Sequence, residues 1–150
     1  MIRILVREAD FDAGAELALL QADGVGGIAS FIGTVRSNAD DKAPLVALFL
    51  EHYPGMTERA LGKIAEQAMA KWPITHCTII HRVGRLTPRE NIVFVGAASP
   101  HRQAALSATA FLIDWLKTRA PIWKREDFGD GESAWVAARE DDDRAAEKWI

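Results

Sequence analysis

Cysteine is nearly missing from this chain: Cys77 is the one copy in 150 residues. That excludes an internal disulfide framework and any multi-cysteine zinc or iron–sulfur centre. Histidine is scarce as well. His52, His76 and His81 show no ligand spacing such as HxxxH, so no metal site is expected. Positive charge is not in excess either. The formal net charge of −3 argues against a general nucleic-acid binder, which is usually basic overall. No apolar run approaches the ~20 residues of a membrane span. Residues 2–7 alternate weakly like a strand and are too short an apolar stretch for a signal peptide. A soluble, cytoplasmic protein is therefore expected. Repeats, low-complexity blocks and Pro/Ser-rich linkers are also missing, which leaves 1–150 as a single domain.

What is present is an ordinary globular balance, 49% hydrophobic and 26% charged. A chain this long buries roughly two thirds of its unfolded surface and needs no metal or disulfide to fold. Residues 13–21, with Leu17, Leu19 and Leu20 behind Asp10 or Asp12 as cap, predict a short helix. Residues 28–35 are apolar and partly β-branched, and predict a buried strand opened by Gly24, Gly26 and Gly27. Those glycines match no phosphate loop, because no Gly-Lys-Ser/Thr follows. Residues 37–44 are polar and predict a mobile loop, and 45–52 the next strand, ended by a Tyr53-Pro54-Gly55 turn.

Residues 57–72 predict the clearest helix, with Ala60, Leu61, Ile64, Ala65, Ala68, Met69 and Trp72 on one face and Pro73 as its stop. Strands at 78–83 and 92–98 flank a turn-rich stretch, 84–91. A second long helix is predicted from 100 to 117, its inward face Ala104, Ala108, Phe111, Leu112 and Trp115, and Pro121 prevents its continuation. Gly129 and Gly131 mark a turn, 134–137 a short strand, and the tail from Asp141 a charged helix start. Strands and helices mix without regular βαβ alternation, so the fold class is α+β.

Three places break local rules. Ser99 can cap the second helix and Pro100 suits its first position. His101 and Arg102 follow at once, although cations in a first turn oppose the helix dipole at a cost of ~0.3–1 kcal/mol each. Free backbone N–H groups, an imidazole and a guanidinium would together suit a phosphate. The alternative is that both side chains point into water or pair with carboxylates. Next, Lys117, Arg119, Lys124 and Arg125 occur without an intervening acid in an acidic chain, with Trp115, Ile122 and Trp123 among them. Lysines brought together depress each other's pKa and can act as base or nucleophile. A solvated basic rim is the plainer explanation. Third, Arg36 ends the buried strand beside the polar loop, a common place for binding groups. Cys77 reads as a small buried hydrophobe; Glu51-His52 could assist chemistry, with a strand-end pair ordering the turn as the plainer reading.

With these features in view, the chain resembles the large, catalytic subunits of molybdopterin synthase, the MoaE family. The matching stretches are Gly27-Ile28-Ala29-Ser30-Phe31-Ile32-Gly33-Thr34-Val35-Arg36, Leu50-Glu51-His52-Tyr53-Pro54-Gly55-Met56-Thr57-Glu58 and Ile80-His81-Arg82-Val83-Gly84. Further matches are Ile92-Val93-Phe94-Val95-Gly96, Ser99-Pro100-His101-Arg102 and Leu116-Lys117-Thr118-Arg119-Ala120-Pro121-Ile122-Trp123-Lys124-Arg125-Glu126. The resemblance implies an α/β-hammerhead-like domain with an additional antiparallel β subdomain. It implies an enzyme, a sulfurtransferase that builds the dithiolene of molybdopterin from cyclic pyranopterin monophosphate. Sulfur arrives as a thiocarboxylate on the C-terminal Gly-Gly tail of a ubiquitin-like small subunit. Two large subunits form a central homodimer within a heterotetramer. Lys117 and Lys124 would be catalytic, lining the pocket for the tail. Arg36 (from the neighbouring large subunit), His101 and Arg102 would bind the anionic pterin. Neither cofactor nor metal is called for, because sulfur is activated on the small subunit. The rivals are a non-catalytic binding subunit and a phosphate-handling enzyme without a protein partner. The presence of both lysines counts against the first.

Overall fold

The computed structural model describes residues 1–37, 44–129, 133–135 and 140–150. In chain order the elements are β1 (Ile2–Arg7), α1 (Ala13–Leu19), β2 (Gly27–Thr34), β3 (Ala47–His52), α2 (Met56–Lys71), β4 (His76–Arg82) and β5 (Gly84–Leu86). Then come β6 (Asn91–Ser99), α3 (Arg102–Arg119), β7 (Ile122–Asp127), β8 (Ser133–Trp135) and α4 (Glu140–Glu147). The strands form two sheets, one ordered β1-β4-β6-β2 and the other β5-β3-β7-β8. The first is mixed, with β1 parallel to β4 and the other pairs antiparallel, and the second is antiparallel throughout. The α+β class stands. Most of the polar loop, Gly131 and residues 136–137 of the expected last strand lie outside the described residues.

Alternation along β4 decides the layers. Cys77, Ile79 and Val83 join α2 and α3 in the larger core, while Ile80 faces α1 with Phe11, Leu20 and Phe94. Leu48, Leu50 and Leu86 of the second sheet enter the same large core. The chain crosses between sheets at Val83, and Gly84 makes that corner with φ +90°, a backbone conformation that side chains disfavour. α1 is capped by Asp12, whose carboxylate accepts from the Ala15 N–H. It is tied to β1 by the Arg3–Glu16 ion pair at 2.8 Å.

Two elements depart from the sequence expectation. β5 is only three residues long, too short to show a period, and exists because it pairs with β3. β7 is a full strand where the pattern showed only a cationic stretch, and it pairs with β3 on one side and β8 on the other. The tail docks at its end: Trp149 stacks edge-on against Trp72 and Phe111, and its indole N–H donates to Asp114 at 2.7 Å. Among the described residues no helix is long and apolar enough to cross a membrane.

Candidate active site

The start of α3 is shaped by backbone contact. A Cβ on Gly26 would collide with the Pro100 carbonyl, and one on Gly27 would lie 3.2 Å from the Arg102 Cα. Only glycines let this corner sit against the opening of β2. The helix itself begins at Arg102, two residues later than its sequence signals suggested, with His101 as N-cap. The Ser99 hydroxyl does accept from the His101 N–H at 3.0 Å, and donates to the Pro73 carbonyl at 2.9 Å. It therefore holds the approach to the helix rather than its first turn. His101 and Arg102 are both exposed, and the first turn contains no acid.

The other end of α3 carries Lys117 and Arg119. The chain then folds back sharply. Ile122 N–H donates to the Ala120 carbonyl at 2.8 Å, and the buried Thr57 hydroxyl donates to the Pro121 carbonyl at 3.0 Å. The same hydroxyl accepts from the Tyr53 N–H at 3.0 Å. Thr57 thus joins the turn after β3 to the turn between the lysines. β7 returns beside β3 with Lys124 opposite Leu50 and Ile122 opposite His52. Leu50 and Ile122 pack in the large core, so Lys124 and His52 share the inner face of this sheet.

Beneath them lies His81, only 3% exposed. Burial pushes its pKa down to about 4, and the charges of Lys117, Lys124 and His52 push the same way, against a bond to the Arg82 carbonyl. Three elements thus gather two lysines and a histidine around a buried imidazole. His52 is not paired with Glu51, which faces the other side of the strand. Its carboxylate neighbour is Glu58, Nε2 to Oε1 4.0 Å, and that oxygen is buried without a hydrogen bond. The other Glu58 oxygen accepts from the Gly55 N–H at 2.9 Å. Arg119 stacks on Trp115 at 4.2 Å and Arg125 on Phe49 at 4.1 Å, which gives both a packing role.

The candidates therefore fall into two groups. Arg102 and Lys117 are roughly 22 Å apart along α3 at about 1.5 Å per residue. α3 runs along β2 in the same direction, with Arg102 against Gly27 and the Thr109 hydroxyl on the Ala29 carbonyl at 3.3 Å. Arg36, beyond the end of β2, consequently stands at the lysine end within one chain. His101 and Arg102 stand at the opposite end. The sequence reading gave His81 and Thr57 no functional role, and weighed His52 only in a Glu51-His52 pair that could assist chemistry or order the turn. Their signal was weak: His81 sits in an apolar strand with no partner spacing, and Thr57 looks like any helix-start residue.

Cys77 is 1% exposed and burial raises its thiol pKa to about 11. Among the described residues no three His, Cys, Asp or Glu side chains gather as a metal site would require.

A mixed sheet and an antiparallel one, with Lys117 and Lys124 on either side of the Pro121 turn and His101 and Arg102 at the far end of α3, define an α+β protein with two separate basic ends. The chain belongs to the MoaE family, whose MoaE protein pattern matches residues 6–119. It is 52% identical over 148 residues to the molybdopterin synthase catalytic subunit of Pseudomonas aeruginosa, covering 97% of each chain. Among solved structures, the molybdopterin biosynthesis MoaE protein of Burkholderia ambifaria superposes with a TM-score of 0.84 at 44% identity, over 99% of this chain and 98% of that one. Molybdopterin synthase from Staphylococcus aureus gives 0.83 at 29% identity, over 89% and 96%.

Proposed function

We infer that this chain works as the catalytic subunit of a molybdopterin synthase, in molybdenum cofactor biosynthesis. In this reading it takes sulfur from the C-terminal thiocarboxylate of a ubiquitin-like small subunit. It delivers that sulfur to cyclic pyranopterin monophosphate, forming the dithiolene. The observation that carries the reading is the convergence of Lys117 and Lys124, from either side of the Pro121 turn, over one buried imidazole. Lys117 is the principal acid–base group or polarises the acyl intermediate. Lys124 holds the thiocarboxylate or balances developing negative charge. The Trp123 and Trp135 side chains, half exposed on the outer face of the second sheet, suit a protein partner. That sheet is the additional antiparallel β subdomain of a hammerhead-like fold, within one domain spanning 1–150 in the cytoplasm.

The separation along α3 supports a shared site. β2 is an edge strand with Ile28, Phe31 and Ile32 exposed, and Leu106, one turn after Arg102, is also exposed. A second copy seated on this apolar edge would cover it. It would carry His101 and Arg102 of one subunit toward the Lys117, Lys124 and Arg36 of the other. The pterin phosphate is then bound across a homodimer, within a heterotetramer that includes two small subunits. The test is incubation with the cyclic precursor and thiocarboxylated small subunit, assayed for the dithiolene product. Product formation supports the reading. Turnover of a small phosphorylated substrate without the sulfur-carrying protein would replace it with the phosphate-handling rival.

A further inference from the structure

His81 has no part in the chemistry above, yet its placement is costly for a histidine. It shares the core face of β4 with Cys77 and Ile79, and Val83 follows on the same side just past the strand. Its register partners on either side, Val6 of β1 and Val93 of β6, are apolar. The buried residues of α2 in the same core, Leu61, Ile64, Ala65 and Ala68, bring no charge. The groups whose charge reaches it are Lys117 from α3, Lys124 from β7 and His52 from β3. Glu58 of α2 meets His52 rather than His81.

The ring is fixed in one orientation. Nδ1 lies 2.7 Å from the Arg82 carbonyl. A carbonyl only accepts, so Nδ1 carries the proton and the uncharged ring keeps a lone pair on Nε2. The strand is immobilised at this point, because the Arg82 guanidinium donates to the Glu8 carbonyl at 3.1 and 2.9 Å and to the Asn91 carbonyl at 3.0 Å. A neutral acceptor is therefore presented close to two lysine ammonium groups.

We propose that His81 is a positioning residue of the lysine pair: its Nε2 accepts a hydrogen bond from whichever of the Lys117 and Lys124 ammonium groups turns inward, holding that lysine while the other meets the substrate. The proposal rests on the assignment of these lysines as the reacting pair. A carboxylate in the same place would neutralise the cluster and weaken its hold on an anion. An apolar side chain would remove the acceptor that Nε2 offers to the inward lysine. Only an uncharged acceptor meets both requirements.

The test reads the lysines directly and needs no substrate. The chain has six lysines. Reductive methylation with 13C-formaldehyde makes each visible by NMR, and Lys117→Arg and Lys124→Arg assign the two of interest. In His81→Leu, the midpoint of at least one of them should fall by about half a pH unit, a roughly threefold change in its acid constant. His81→Gln, whose amide oxygen can accept in place of Nε2, should restore it. Unchanged midpoints for both lysines in folded His81→Leu would overturn the proposal. If that variant does not fold, 15N spectra of the otherwise native protein decide. The ring should be the Nδ1-protonated tautomer at neutral pH, and Lys117→Ala or Lys124→Ala should move the Nε2 resonance. No movement with either would equally overturn it. Failure of the synthase reading looks different: the native chain makes no dithiolene while the lysine titrations still respond to residue 81.

Discussion

The two ends of α3 both carry cations, and they could hardly be more differently supported. At its C-terminus, Lys117 and Arg119 lie where the helix dipole favours positive charge. Thr57 bonds to the following turn, and a buried histidine lies beneath. At its N-terminus, Arg102 opposes the dipole, and it and His101 are exposed with no acid in the first turn. The chain nevertheless commits glycines at 26 and 27 to bring that corner against β2. Charge is tolerated against the dipole where an anion is to be bound. In the proposed function one helix therefore serves two half-sites, Lys117 at one end for acid–base chemistry and His101 with Arg102 at the other for anion capture.

The sharpest break of this comparison is at Lys117. Lys117→Ala should lower single-turnover product formation by about 10²-fold or more, the scale of a positioned acid–base group. Small-subunit binding should hardly change. Lys117→Arg should not rescue, because arginine does not release its proton near neutral pH. Lys124→Arg should keep more activity than Lys124→Ala if charge is what that position supplies. Near-native turnover in Lys117→Ala would remove the catalytic assignment.

Mixed dimers test which half-sites belong together. Arg36 and Lys117 share one end of the chain, so mixing Arg36→Ala with Lys117→Ala chains leaves both sites damaged. Mixing Arg102→Ala with Lys117→Ala chains rebuilds one site in each mixed dimer. Activity should therefore reappear in the second mixture, at up to roughly half the native level per mixed dimer, and not in the first. Rescue in the first mixture alone would mean that Arg36 crosses the interface, as the family resemblance first implied.

The long helices and the central strands were legible in the sequence because each carries its own local signal. α2 has its 3.6-residue apolar face, and β6 its continuous apolar run. The cationic stretch stood out against an acidic chain. β5 and β7 were not legible, because both exist through pairing with β3. The grouping of the candidates was hidden for a similar reason: only the direction of α3 along β2 reveals that Arg36 lies with the lysines and away from Arg102. His81 was hidden because burial, not spacing, makes it unusual. That burial yields a smaller, measurable effect. The folded pKa lies near 4 against an ordinary 6.5. The unfolded chain takes up the proton first as pH falls, so this stabilisation is full above about pH 6.5 and is lost progressively down to pH 4. Between pH 7 and 5 the unfolding free energy should drop by about 1–2 kcal/mol more in the native chain than in His81→Gln. Parallel curves in urea titrations would mean that His81 is protonated as easily in the fold as outside it.

The smallest effect is expected at Cys77, which shares its strand and its face with His81. The two are four residues apart, roughly 13 Å along a strand, so a sulfur carried on Cys77 would be far from the lysines. Cys77 is also sealed, between Ile2 of β1 and Ala97 of β6 in register, and its thiol pKa near 11 keeps it protonated at neutral pH. The thiolate is the nucleophile, so a buried thiol of this kind is inert. Cys77→Ala should retain native turnover with thiocarboxylated partner and lose about 1 kcal/mol of stability, as for a small apolar group removed from a packed core. The measurement is single-turnover kinetics beside a denaturation curve on the same preparation. A folded Cys77→Ala chain that cannot form the dithiolene would show that sulfur passes through this subunit's own thiol, and the division of α3 into an acid–base end and an anion end would no longer account for the reaction.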